Sequence, residues 1–364
     1  MIQMTGSVLQ RTAVAVALVL ASPLAAAPPV DPVEAAVNRG VKFLLTAQKE
    51  SGCFQDVRGR FLVRKNNYPL TSMALMAMAA VGHQPSDESR EGLAMRRGLN
   101  FLLEPDNRRG ALEYYGSDGS RMYGHGITTL CLTEFLGMGV SKAQDGLIRQ
   151  RCEKAVELIL RAQRGPKGSR YQGGWRYTPT SRDSDLSITV WQLMALRSAK
   201  NAGINVPKSA IDRAVEYVKR SYKSQRDGRG RPLDGRSGFG YVPGAPATYS
   251  TTSAGLLSLQ VCGEYTAPEV LGAAQYLENF PVTESEDWFF YGTYYYAQGM
   301  QKRGGGQAKK ARETVERLLL RLQSKSDGSW SGRRVERMQG RVYSTALALL
   351  SLSVRYHFLP IYQH

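Results

Sequence analysis

GGWRYTPTSRDSDLSITVWQL, Gly173–Leu193, runs from a Gly-Gly-Trp loop past two acids, Asp183 and Asp185, into a helix that is apolar on nearly every side. A helix of that kind is buried on both flanks, so it needs neighbours on both. The segment before the loop, starting near Arg151, has the opposite character: helical spacing with one wet face. The same succession of amphipathic helix, Gly- and aromatic-containing loop and all-apolar helix recurs six times along the chain. The amphipathic members begin near Pro32, Ala94, Arg151, Ser209, Pro268 and Lys309. In the first, Val33, Val37, Val41, Leu44, Leu45 and Gln48 fall at helical spacing; in the last, Val315, Leu318, Leu319 and Leu322 do so. The all-apolar members read TSMALMAMAAVG, GITTLCLTEFLG, LSITVWQLMALRSA, TTSAGLLSLQVCG, YGTYYYAQGM and YSTALALLSLSV.

Six such pairs close most economically into a ring, with the buried helices inside and the half-wet helices outside. The fold expected is all-α: a single-domain (α/α)6 toroid of six helix-pair repeats over residues 31–360. Each unit has roughly 55 residues, enough for two ordinary helices and their loops. One low-complexity stretch intrudes, KSQRDGRGRPLDGRSGFGYVPGAPA, residues 223–247. Its Gly, Pro and Arg content marks a long mobile loop at the rim, in the fourth unit.

Residues 1–27 carry Arg11, a mostly apolar run over residues 12–20 and then Ala25-Ala26-Ala27, the plan of a secretory signal peptide. The apolar run is too short to span a bilayer, and no transmembrane segment is expected elsewhere; the expected location is extracytoplasmic, periplasmic or secreted. The formal charge is +17, or +16 without residues 1–27, which hold one Arg and no acid. That balance favours anionic partners, but the basic residues are scattered, and nucleic acid is not an expected partner. Cys53, Cys131, Cys152 and Cys262 could pair after export, although their wide spacing matches no compact disulfide framework. None forms a C-x-x-C, and His83, His125, His357 and His364 form no H-x-x-x-H, so no metal or other cofactor is expected.

The joints Gln48-x-x-x-Gly52-x-Phe54 and Gln323-x-x-x-x-Gly328-x-Trp330, with the looser Gln163 to Gly173-Gly174-Trp175, resemble the QW motifs of the squalene-cyclase and prenyltransferase repeat superfamily. Physically, the Gln is expected to bond its own helix's orphan carbonyls while the aromatic stacks into the next unit. Cyclases of that superfamily protonate an alkene or epoxide with an aspartic acid at the start of an inner helix. Asp183-Ser184-Asp185-Leu186-Ser187 is similar to their V-S-D-C-T form. The resemblance implies Asp185 as the acid, with Asp183 or His125 tuning it. Tyr123, Tyr177, Tyr249, Tyr291, Tyr294, Tyr295 and Tyr343, at or near the mouth end of the inner helices, would line a chamber for an isoprenoid-like apolar substrate.

A structural alternative stands beside each of these. Asp183, Ser184 and Ser187 are good capping and first-turn residues, and an acid there is favoured by the helix dipole. His125 fits a helix cap, and the tyrosine run of the fifth unit fits the core. The chain also departs from triterpene cyclases, which pair two toroids, and it lacks the Asp-x-Cys of the protein prenyltransferases. Cys262-Gly263-Glu264-Tyr265 resembles the thioester C-G-E-Q, but Tyr265 removes the acyl partner. Two further functions remain open: a secreted (α/α) polysaccharide lyase acting on anionic glycans, which suits the positive charge, and a non-catalytic toroid scaffold.

Overall fold

Residues 31–56, 66–356 and 359–362 are described by the computed structural model, and twelve α-helices carry them. Five helices hold the outside: α1 (Pro32–Ala47), α3 (Arg90–Leu103), α5 (Lys142–Arg164), α7 (Lys208–Arg220) and α9 (Pro268–Asn279), with α11 (Gly305–Leu322) as the sixth. The inner six are α2 (Asn67–Ala80), α4 (Arg121–Glu134), α6 (Leu186–Asn201), α8 (Tyr249–Val261), α10 (Phe289–Arg303) and α12 (Arg341–Leu352). Each inner helix packs on the next, and α12 packs back on α2, so the inner ring closes. Every outer helix covers the inner helix that precedes it, with α1 covering α12. Among the described residues there is no strand, only isolated β-bridges in the loops.

The burial pattern follows the sequence periodicity. In α2 every residue from Tyr68 to Ala80 is buried, whereas α7 buries only Ala210, Ile211, Ala214, Val215, Tyr217 and Val218. Boundaries moved where polar turns precede the apolar stripe. Three outer helices start earlier than expected, at Arg90, Lys142 and Gly305 in place of Ala94, Arg151 and Lys309. Ser89 and Ser141 explain two of these: their hydroxyls accept from Gly92 and Gln144 N–H, 3.1 and 3.2 Å, and so cap helix turns that carry no apolar signal.

The joints are built alike. Gln323 Nε2 donates to Gly328 O at 2.9 Å and to Ala36 O at 2.8 Å; Gln163 does the same to Gly173 O and Ala210 O, both 2.9 Å. Gln48 repeats it on Gly52 O and Ala94 O, 2.9 and 2.8 Å. The expectation that each Gln bonds its own helix is therefore corrected: the amide reaches across to a carbonyl near the start of the next outer helix, Ala36, Ala94 or Ala210. In the Gln163 joint, Gly173 sits at φ +90° and a Cβ there would lie 2.0 Å from Arg213 O, so only glycine permits the approach. Phe54, Trp175 and Trp330 are fully buried, and the two indole N–H groups donate to Ile159 O and Leu319 O, both at 2.8 Å.

The loops between outer and inner helices also close the ring at its mouth. Tyr68 N–H is capped by Asp118, Met122 N–H by Tyr177 O, Leu186 N–H by Tyr241 O, and Arg341 N–H by Asp56, all between 2.8 and 3.0 Å. Glu336 takes the N–H groups of Phe290 and Tyr291, each at 3.0 Å. In each case the cap comes from the next unit round the ring, whereas α8 is closed by its own Thr248. Residues 223–247 are not a free excursion: Tyr222 bridges Phe239, Gly240 bridges Ala247, and the loop carries Tyr241 inward.

The four cysteines are unpaired. Among the described residues no helix is long and apolar enough to cross a membrane, and no group of three or more His, Cys, Asp or Glu is arranged to hold a metal ion. Residues 1–27, His357 and His364 lie outside the described residues.

Candidate functional site

The N-terminal ends of all six inner helices surround one cavity of about 1020 Å³. Its inner surface is aliphatic and aromatic, from Leu70, Met73, Ile127 and Trp191. Five phenols, of Tyr123, Tyr177, Tyr241, Tyr291 and Tyr343, contribute to its polar edge, with Asn66, Arg121, Gln339 and several serines and threonines among the other polar lining groups. Arg121 holds a left-handed backbone, φ +59°, and its guanidinium lies 6.0 Å from the Tyr177 ring. A second hollow, lined by parts of the 224–236 loop and α9, lies away from the inner helices.

Asp185 is the N-cap of α6. Its Oδ1 accepts from Ile188 N–H at 2.9 Å and from Ser187 Oγ at 2.7 Å, while Arg176 Nε stands 3.5 Å from Oδ2. Its backbone N–H donates to Trp175 O, 3.0 Å, which ties the cap to the Gly-Gly-Trp joint. The carboxylate has no exposed surface, and Asp185 is absent from the cavity lining. Burial raises its pKa above the ordinary carboxyl value, against the pull of Ser187, Ile188, Tyr241 and Arg176. Contact with the cavity runs through hydroxyls: Ser187 lies 2.5 Å from Tyr123 Oη, and both residues line the space.

Of the other residues singled out from the sequence, Tyr123, Tyr177, Tyr291 and Tyr343 line the cavity. Asp183 does not: it is partly exposed and pairs with Arg176 at 2.7 Å. His125 is fully buried in the second joint, where Tyr115 N–H donates to Nδ1 at 3.3 Å and Nε2 bonds Ala155 O at 3.0 Å. Burial lowers its pKa to about 4, so it is a neutral joint residue away from the cavity. Tyr294 and Tyr295 pack behind Trp191, centroids 5.9 and 5.6 Å away, because consecutive helical positions cannot share one face. Tyr249 is likewise buried and turns its hydroxyl to Thr293, 3.3 Å.

Sequence inspection passed over four residues. Trp191 and Tyr241 line the cavity, Arg176 pairs with both acids, and Glu336 is a second buried acid beside it. Burial pushes the Glu336 carboxyl up to about 7, against the opposing pull of the Tyr291 and Phe290 N–H groups and of the Tyr343 hydroxyl. Tyr241 sits in a loop and Glu336 in a short 3-10 helix, Arg334–Gln339, neither with an apolar period, so only the closed ring shows where they point.

No family model matches the chain, and no curated protein matches it by sequence. Solved structures do match. One is an inactive variant of the α-1,6-mannanase GH76A of Salegentibacter sp. bound to α-1,6-mannotriose: TM-score 0.61 at 10% identity, over 89% of this chain and 99% of that one. Another is a variant of the type II terpene cyclase MstE of Scytonema bound to geranylgeranyl dihydroxybenzoate: TM-score 0.56 at 13% identity, over 90% and 98%. A third, from Klebsiella pneumoniae and described as a possible member of the GH105 family, has TM-score 0.52 at 14% identity, over 94% and 99%. The chain is thus an α/α toroid, the fold these structures share. At these identities the likeness is one of fold.

Proposed function

We propose that the protein binds an isoprenoid-like apolar molecule in the chamber at the mouth of the toroid. The supporting observation is the composition of the wall: among the described residues that line the cavity there is no Asp, Glu, Lys or His, and the inner surface is Leu, Met, Ile and Trp. Glycoside hydrolysis ordinarily uses two carboxyl groups flanking the scissile bond, and this lining offers neither. An aromatic and aliphatic chamber of this size instead suits a branched hydrocarbon chain. Asp185 belongs to the site without touching its occupant, acting through Ser187 and Tyr123. Export, on the evidence of residues 1–27, would put this binding outside the cytoplasm.

The test is equilibrium binding to the full chain, followed by tryptophan fluorescence, since Trp191 and Trp288 line the cavity. Geranylgeraniol and squalene represent the isoprenoids, α-1,6-mannotriose and polygalacturonate the glycans. Saturable binding of an isoprenoid that is lost in Trp191→Ala supports the proposal. Saturable binding of a glycan alone overturns it.

A further inference from the structure

We infer that the Tyr123–Ser187–Tyr291 stretch of the chamber wall presents hydrogen-bond acceptors, and so selects apolar molecules carrying a neutral donor such as a hydroxyl. The inference rests on the isoprenoid reading and narrows it to a substrate class.

Proton counting around Ser187 carries it. The Ser187 hydroxyl has one proton, and Asp185 Oδ1 receives it at 2.7 Å. Tyr123 Oη lies 2.5 Å from the same Ser187 Oγ, so the shared proton in that contact has to come from Tyr123. Tyr291 Oη, the third group on this wall, donates to the Ser187 carbonyl at 3.3 Å. Ser187 therefore collects both phenol protons, one on its hydroxyl and one on its carbonyl, while both phenols line the cavity. What they turn to a ligand is lone pairs.

The arrangement does not depend on the charge of Asp185. Oδ1 already accepts from Ser187 and from Ile188 N–H, so a proton on this carboxyl would go to Oδ2 and leave the chain of donors unchanged. Asp185 is then a positioning residue: it sets which way the hydroxyls point. A cationic head is disfavoured, because Arg121 and the positive ends of the inner helices face the same space. The donor is accordingly a neutral one.

The experiment compares geranylgeraniol with its methyl ether, which keeps the chain and the oxygen but removes the donor. In the unmodified protein the alcohol is expected to bind about tenfold tighter, the effect of one hydrogen bond gained against one acceptor left facing an oxygen. Ser187→Ala frees the Tyr123 proton to point into the chamber, so the ether gains and the ratio falls toward one. Tyr123→Phe lowers the ratio by weakening the alcohol. Asp185→Asn keeps it, because the amide oxygen still accepts from Ser187. Equal affinities in the unmodified protein, a preference for the ether, or a ratio unmoved by Ser187→Ala would each overturn the inference while leaving isoprenoid binding intact. Failure of both compounds to bind would remove the isoprenoid reading and this inference with it.

Discussion

His125 occupies a place that threonine fills in four other joints. Backbone N–H groups of Phe54, Trp175, Phe239 and Trp330 donate to Thr71, Thr189, Thr252 and Thr345, at 3.0 to 3.1 Å; in the second unit Tyr115 N–H meets His125 Nδ1 instead. A lone histidine near a cavity invited a catalytic role, and only its neighbours show that it is an acceptor in a joint. Glu336 is the reverse case, a glutamate of the short 3-10 helix Arg334–Gln339 with no motif around it, which closes α10 through the Phe290 and Tyr291 N–H groups. Its folded pKa of about 7 lies above the ordinary 4.5, so between those values the folded state holds a proton that the unfolded chain has lost. Its contribution to stability is most favourable below about 4.5 and falls as pH rises to about 7. Glu336→Gln removes that dependence while costing a constant amount for the acceptor it loses. Urea unfolding at pH 4.5 and pH 7.5 should therefore show the variant gaining on the parent as pH rises; a difference independent of pH would refute the assignment.

At the scale of elements, the two helix classes were legible because burial leaves a period: the inner helices lack a wet face and the outer ones keep one. Helix starts were less legible, since a first turn held by a serine cap carries no apolar stripe, as at Ser89 and Ser141. The acids of the opening stretch divide by element as well. Asp185 caps α6, whereas Asp183 stays on the loop, paired with Arg176. Asp185→Ala should destabilise the protein by about 1–2 kcal/mol, and Asp185→Asn, whose side-chain oxygen can still accept from Ile188 N–H, by no more than about 0.5 kcal/mol. Chemical denaturation of the two variants measures this, and equal losses would mean that the charge and not the cap is what stabilises.

For the whole molecule, the Gln323 joint has a consequence that the Gln48 and Gln163 joints lack. It ties α11 to α1 and so joins the last unit to the first, 287 positions apart for Gln323 and Ala36. A closed ring has no end unit from which to fray, unlike an open array of repeats. Gln323→Ala removes the amide's two buried bonds, to Ala36 O and Gly328 O, and the two that Arg39 makes to its Oε1, a loss of about 2–4 kcal/mol. Unfolding of the parent should be a single transition by fluorescence and circular dichroism alike, and Gln323→Ala should shift it whole; a separate early phase in the parent would argue against closure. The sequence by itself determined the number of units, the inner and outer roles of the helices and the position of the joints, because these depend on periodicity and on contacts near in sequence. Which phenols share the chamber, which acid lies behind Ser187 and where Tyr241 and Glu336 point were decided only by the tertiary structure. Each of those facts is a distance between units, and it acquires a value only when the ring closes.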